Sequence, residues 1–389
     1  MDGAKFAKML SDKHLFELDR MEYKYSVSSV NEFTELLRQN FAQSLPLVDF
    51  SSDELFYLPN LARISTNGMK QLLSAPASNQ SFGLQAMTEE IHATFQIESI
   101  HSSRNSIRHI LNGYAPRNEE ESRIYGMKRG LDFIADRQNT ITEENLHQLY
   151  QISTGDYLPD EDRLLPDHFY RHDVVYVVDG KESREGLPAQ QLPDAMKRLV
   201  DFANAKDGIN ELHKAAILHF AFAYYHPYFD GNGRTARLLH LWYLVQQGYP
   251  AALFTPFSRY IAESKAAYYK AYDRVEKNAL ISGHTDVTPF LSYFCNEVYN
   301  RLQVDAAPPQ ADLQVYQTAL AEGKITEKER LLWEYVLSAY GTEEFTTKQL
   351  EKDFRNAAYA TIRTFVMKFH EMELLVARKT GNRVFYKVK

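Results

Sequence analysis

The sequence predicts a mainly α-helical protein: one large helical bundle that carries a β-hairpin, followed by a small unit of three helices and a second hairpin. Three observations lead there. Apolar residues recur at helical spacing through most of the chain, as at Leu84, Met87, Ile91 and Phe95. The stretches His213 to Tyr225 and about Arg234 to Gln247 are apolar almost all round, the mark of buried helices. Strand-like patterns are confined to His172–Asp179 and Val376–Val388. At 389 residues the chain is long enough for a main domain and one or two satellites.

Residues 1–80 read as irregular chain with short helices and little chemistry. Helices follow at about 84–99, 104–112, 119–137 and 143–152. The run HDVVYVVD, then Gly180 and a charged turn, reads as a hairpin set on a helical body. Leu192-Pro193 opens a helix to about Asn204, with proline in the first turn. After the two buried helices, Gly248 and Pro250 stop the second. Tyr260–Lys277 and Val287–Leu302 each read as one helix. The sequence Asp305–Gln314, with two prolines, reads as a linker. Beyond it, patterns at about 326–340, 346–354 and 359–375 precede a hairpin turning at Thr380-Gly381-Asn382, a winged-helix order. The expected domains are therefore 1–80, 81–304, a linker 305–325, and 326–389.

Composition narrows the function. Hydrophobic residues make up 44% and charged residues 24%, ordinary for a globular protein. No run approaches the roughly 18 uncharged apolar residues of a membrane span. Lys5, Lys8, Asp12 and Lys13 interrupt the N-terminus, which is unlike a secretory signal. The lone Cys295 leaves no intramolecular disulfide and no cysteine-based zinc site, and with these features the expected compartment is the cytoplasm. The net charge of −7 argues against wholesale coating of nucleic acid.

The densest chemistry is HPYFDGNGRTAR, His226 to Arg237, lying between two helices too apolar to be exposed. Gly231 and Gly233 permit positive φ and close backbone approach just before a helix N-terminus, where free N–H groups form an anion site. Arg234 and Arg237, three apart, can face one ligand from the first turn, and Asn232 adds an amide. Backbone donors, side-chain donors and two fixed cations suit a polyphosphate. Asp230 is a hard oxygen ligand suited to Mg²⁺, or alternatively a helix cap. His226 titrates near neutrality and is the natural general base, with a merely structural histidine as the bland alternative.

This stretch resembles the Fic family signature, H-P-F-x-D/E-G-N-G-R-x-x-R, matched at every position except that Tyr228 replaces Phe. The resemblance runs over roughly residues 80–305 and includes Ser258–Tyr269. It implies transfer of AMP from ATP to a Ser, Thr or Tyr hydroxyl of a target protein, the chain itself included. In that scheme His226 deprotonates the hydroxyl and Asp230 holds Mg²⁺ against the α- and β-phosphates. Gly231, Asn232 and Gly233 cradle phosphate oxygens, while Arg234 and Arg237 hold the β- and γ-phosphates. Tyr268 matches a tyrosine lining the nucleotide pocket. The hairpin at Val175–Gly180 matches a flap that aligns an extended target by strand addition, and its Val178 is counted with the nucleotide-binding residues.

The stripe Leu84, Met87, Ile91, Phe95 continues to Glu98, with Thr94 a turn behind. A carboxylate facing the core needs a cation, and Arg237 is the candidate. Thr94 to Glu98 followed by Ser99 resembles the family's inhibitory motif, S/T-x-x-x-E-G/N, with Ser99 departing from Gly or Asn. His92, His101 and His109 read as solvated helix residues, and Cys295 as core.

From Arg355 onward eight basic residues face Glu371 and Glu373 alone. Ile362, Phe365, Val366, Phe369 and Met372 form a core stripe, leaving Arg363, Thr364 and Lys368 outward, with Arg378, Lys379 and Arg383 beside the wing. Such a face suits DNA phosphates; the alternative is protein contact or formation of a homodimer. The leading expectation is a Fic-type protein adenylyltransferase using ATP and Mg²⁺, self-inhibited by Glu98 through Arg237. Alternatives are a DNA-binding regulator with a nucleotide-sensing or self-modifying domain, and an enzyme that transfers another phosphate-containing group or removes AMP.

Overall fold

The computed structural model describes residues 1–65, 72, 81–179, 182–249, 251–303, 310–340, 344–381 and 383–389. It is mainly helical, with three separate two-stranded antiparallel sheets among the described residues. At the centre lie helices Glu211–Tyr225 and Asn232–Gln246, buried almost all round and packed on each other. Asn210 starts the first by accepting the N–H groups of Leu212 (3.0 Å) and His213 (3.4 Å). Around the pair stand helices Ser81–Ile97, Glu119–Ala135, Glu143–Ser153 and Leu192–Asn204. One continuous apolar cluster links them, running in sequence from Leu45 to Leu302. Cys295 is buried in it.

The periodicity-based helices from 81 to 246 lie within a few residues of their expected bounds. The N-terminal region departs from expectation. It forms helices Gly3–Leu10, Leu18–Tyr25 and Val27–Phe41 around a small core of Met9, Met21, Val30 and Phe33. The hairpin Gln43–Val48/Glu54–Tyr57 follows. Leu45, Leu47, Leu55 and Tyr57 belong to the main core, so that core begins well before residue 81. The stretch expected as one helix over Tyr260–Lys277 is two, Phe257–Glu263 and Lys265–Ser282. At the break, the Ser264 hydroxyl meets the Tyr260 carbonyl (2.7 Å) and the Tyr293 hydroxyl (2.8 Å), and its backbone leaves helical geometry. Val287–Leu302 stays helical but changes winding, from α (Thr288–Tyr293) to π (Phe294–Val298) to 3₁₀ (Tyr299–Gln303).

Half of the expected linker is helix, Gln310–Ala321, starting directly after the proline pair; residues 304–309 lie outside the described residues. Ala319 and Ile325 enter the C-terminal core, which places that unit's start before 326. The unit comprises helices Glu327–Ala339, Thr347–Phe354 and Tyr359–Glu371 and the hairpin Leu375–Thr380/Arg383–Val388. The third helix therefore ends at Glu371, short of 375. A reciprocal capping box, Thr326 with Glu329, starts the first helix. Asn382, expected in the turn, lies outside the described residues.

The C-terminal unit rests on the main helical bundle. Glu327–Ala339 lies against Ser81–Ile97. Tyr335 donates its hydroxyl to Asn112 Oδ1 (3.0 Å), the Arg108 guanidinium lies 4.9 Å from the Tyr340 ring centre, and Arg355 sits over Tyr114. Two of the basic residues form ion pairs: Lys368, expected to face outward, is half-buried on Glu329 (2.7 Å), and Arg378 stays exposed beside the wing while pairing with Glu344 (2.5 Å). Two histidines expected to be solvated are half-buried, His92 beside Ser102 and His109 stacked on Tyr114; His101 is exposed but lies outside any helix.

Candidate active site

Helix Glu211–Tyr225 ends at His226, whose backbone is left-handed (φ 54, ψ 61). That reversal starts the loop leading to helix Asn232–Gln246, which begins from Gly231, again left-handed at φ 82. Among the described residues no side chain caps this second helix, the kind of N-terminus that suits an anion. A side chain at Gly231 would strike Thr154, and its φ already favours glycine.

Asn232 serves the loop itself. Its Oδ1 accepts the Tyr228 N–H (2.9 Å) and its Nδ2 donates to the Tyr228 carbonyl (2.8 Å), and the residue is buried. The Asn232 amide thus also braces the loop that was expected to cradle phosphate, using its oxygen and one of its two N–H groups. Tyr228 is fully buried and stacks on Tyr150 with ring centres 3.6 Å apart. Among the described residues neither hydroxyl finds a hydrogen-bond partner.

Both arginines are buried, and both hold Glu98. Arg234 Nε donates to Glu98 Oε2 (2.8 Å), and Arg237 Nη2 donates to Glu98 Oε1. Arg237 Nε also donates to Thr94 Oγ1 (2.6 Å). The expected partner of Glu98 was Arg237 alone; the structure adds Arg234, because residues three apart share a helix face. Burial disfavours the Arg237 charge, and the Glu98 carboxylate more than restores it, leaving its pKa above the ordinary value. Glu98 Oε1 rests where a Cβ on Gly233 would come within 2.5 Å, so this glycine makes room for an anion. Ser99 adopts φ 59, which explains why Gly or Asn suits this position. Its hydroxyl accepts from Lys265 Nζ (3.2 Å), and Tyr269 donates its hydroxyl to the Ile97 carbonyl (3.4 Å), so the end of the Glu98 helix is tied to Lys265–Ser282. Farther back, buried Glu90 accepts the Ser258 N–H (2.9 Å) and hydroxyl.

Asp230 is half-exposed. Its Oδ1 accepts the Gly231 N–H (2.6 Å) and its Oδ2 accepts Arg234 Nη2 (2.9 Å). One exposed carboxylate beside a phosphate-ready turn fits Mg²⁺, which takes few protein ligands and keeps waters and phosphate oxygens. Tyr268, expected to line the nucleotide pocket, lies next to Arg237. It is buried behind Arg237 with its hydroxyl on His219 Nε2 (2.9 Å), and so supports the arginine from the core. The hairpin Tyr176–Asp179/Glu182–Glu185 is formed, with Val178 opposite Ser183; the Val178 side chain and Gly180 lie outside the described residues.

Arg171 was missed from the sequence. It is buried, and its Nε donates to the His226 carbonyl at 2.8 Å. A lone arginine just ahead of a β-branched run was the available signal.

Residues 140–244, which hold this loop and both helices, match the model of the Fic/DOC family. The chain carries a Fic domain. Over 122 residues it is 30% identical to protein adenylyltransferase fic-1 of Caenorhabditis elegans, covering 25% of this chain and 24% of that protein. It is 25% identical over 181 residues to protein adenylyltransferase Fic of Nematostella vectensis, covering 45% and 37%. The chain thus spans well under half the length of these curated relatives. A Fic family protein of known structure from Desulfovibrio desulfuricans G20 shares the fold, with a TM-score of 0.52 at 16% identity over 84% of this chain and 97% of that one. No helix among the described residues is long and apolar enough to cross a membrane.

Proposed function

We propose that this Fic domain is a protein adenylyltransferase held off by Glu98. One observation carries the reading: a carboxylate seated over Gly233 between Arg234 and Arg237 stands where a phosphate would be received. The target hydroxyl attacks the α-phosphorus of ATP, the new P–O bond forms as the bond to the β-phosphate oxygen breaks, and pyrophosphate leaves. His226 accepts the hydroxyl proton. The first-turn N–H groups and the two arginines bind the phosphates once Glu98 withdraws. Asp230 would hold Mg²⁺, which when bound neutralises phosphate charge. A target segment adds along the hairpin Tyr176–Glu185 as an extended strand.

With Glu98 in place Arg237 cannot serve the γ-phosphate, and a displaced triphosphate is poorly aligned for in-line attack. Intact-mass measurement after incubation with ATP and Mg²⁺ tests the transferred group. A gain of one adenylyl unit supports the reading; a gain of one phosphate assigns phosphotransfer, and loss of AMP from an adenylylated protein assigns the reverse reaction.

A second reading concerns the C-terminal unit, which we read as a winged helix. It docks through Glu327–Ala339 and the end of Thr347–Phe354, while Arg363, Lys379, Arg383 and Lys387 stay exposed on the other helix and hairpin. That face fits duplex DNA. Binding by the whole chain should fall steeply with salt and weaken in Arg363→Glu; absence of binding at low salt leaves the unit as a protein-contact module. Cytoplasmic residence accords with a single, buried, unpaired cysteine.

A further inference from the structure

Arg171 carries no part of the chemistry proposed so far, yet it is 2% exposed and fully engaged. Its Nε donates to the His226 carbonyl (2.8 Å), its Nη1 to the Asp173 carbonyl (2.6 Å) and its Nη2 to the Leu187 carbonyl. Its backbone N–H donates to the Pro227 carbonyl (2.9 Å). Asp173 lies on the chain entering the hairpin Tyr176–Glu185, and Leu187 on the chain leaving it. One guanidinium therefore ties both feet of the hairpin to the histidine.

The surroundings are shaped for this. Gly186 donates its N–H to the Val175 carbonyl (2.9 Å), and Leu187 donates to the Tyr225 carbonyl (3.3 Å). A side chain at Gly186 would come within 2.8 Å of the guanidinium and 3.4 Å of the His226 Cβ. His226 holds a left-handed backbone, which a residue other than glycine keeps only when its neighbours fix it. Its carbonyl, turned out of the helix, is the group that Arg171 grips. The three side-chain acceptors are carbonyls rather than carboxylates, so the buried cation gains no ion pair from them. Such a site is a poor way to gain stability and a good way to fix three strands of backbone, because the planar fork of arginine presents several donors at set angles.

We propose that Arg171 is a positioning residue that sets the target-binding hairpin and the His226 backbone in one frame. An extended segment laid on the hairpin edge then presents its Ser, Thr or Tyr hydroxyl at the imidazole. Val174 and Tyr176, 54% and 61% exposed, give that edge an apolar entry for the segment. This role rests on the adenylyltransfer reading.

The test uses the full chain in the Glu98→Gly background, comparing Arg171→Met with Arg171→Lys. Arg171→Met should lower adenylyl incorporation by about 100-fold, the scale of a 1 Å misplacement. Mg·ATP affinity by calorimetric titration should stay within about two-fold, since the anion turn is untouched. Arg171→Lys, which keeps the charge but reaches fewer carbonyls, should fall between. By hydrogen exchange, Gly186 and Leu187 should lose protection in Arg171→Met while residues 211–225 and 232–246 keep it. Parental incorporation by folded Arg171→Met overturns the proposal, as does a parallel loss of ATP affinity and of protection throughout those helices. If the Glu98→Gly parent incorporates nothing, the adenylyltransfer reading fails instead. Exchange at Gly186 and Leu187 still decides the clamp, and unchanged protection there overturns it.

Discussion

His226 shows how one residue can be read for its chemistry and missed for its geometry. An imidazole beside an anion loop is visible in the sequence; its left-handed backbone and the arginine that holds its carbonyl are not, because they depend on a contact 55 positions away. His226→Ala should lower transfer by ~10²–10⁴-fold with ATP binding retained, measured by incorporation and titration side by side. Unchanged transfer contradicts its role, and a large loss of ATP affinity moves it to nucleotide binding. Tyr228 stands where the resemblance expects Phe, and its hydroxyl is buried without a partner, as is that of Tyr150 stacked on it. Removing an unpaired buried hydroxyl should help, so Tyr228→Phe should raise the melting temperature by the equivalent of about 1 kcal/mol. A lower melting temperature would mean that the hydroxyl is satisfied. Asn232 shows a role the sequence did not: its amide oxygen and one amide N–H tie the start of the helix back to the Tyr228 backbone.

At the scale of elements, helices with a clear start and an apolar stripe were legible, as Leu192–Asn204, opened by Pro193, and Glu143–Ser153, capped by Thr142, illustrate. Breaks made by a side chain were not: Ser264 divides a periodic stretch through its hydroxyl, which leaves the apolar spacing intact. The helix Ser81–Ile97 matters most here, because it carries Glu98 to the arginines and is pinned at Glu90, Thr94 and Ser99. Taking away Glu98 leaves two buried guanidinium groups without their shared carboxylate. Breaking a buried pair costs about 3–5 kcal/mol. Nucleotide-free Glu98→Gly should therefore melt below wild type, and Mg·ATP should raise its melting temperature more than it raises that of wild type. Equal ATP-induced shifts in the two proteins would show that Glu98 and the triphosphate do not compete.

Across the whole molecule, the joints between units were the least legible, since residues distant in sequence build them. The N-terminal hairpin meets the main bundle where Phe56 donates its N–H to the Thr285 carbonyl (3.2 Å) and Val287 donates to the Phe56 carbonyl (2.9 Å). Asp286 is half-buried in that joint, and the loss of solvent there pushes its pKa up to about 6 despite two hydrogen bonds from Thr288. A carboxyl raised above its unfolded value favours the fold only while protonated. Its contribution is full below about pH 4 and is lost as the pH rises through about 6. Two pKa units correspond to roughly 3 kcal/mol at most. Asp286→Asn should accordingly raise the melting temperature at pH 8 and change it little at pH 4; an equal change at both contradicts the assignment. At the other joint, Tyr335→Ala with Arg355→Ala should speed hydrogen exchange in residues 104–114, where the C-terminal unit rests, and unaltered exchange would place its docking elsewhere. The proposed activity depends on one carboxylate latching the two arginines. The most direct measurement is labelled-adenylyl incorporation from ATP by wild type, Glu98→Gly and Glu98→Gly/His226→Ala. Low incorporation by wild type, a strong rise in Glu98→Gly and its abolition in the double variant are the predicted result. Equal low incorporation by wild type and a folded, ATP-binding Glu98→Gly, or activation that survives loss of His226, would contradict it.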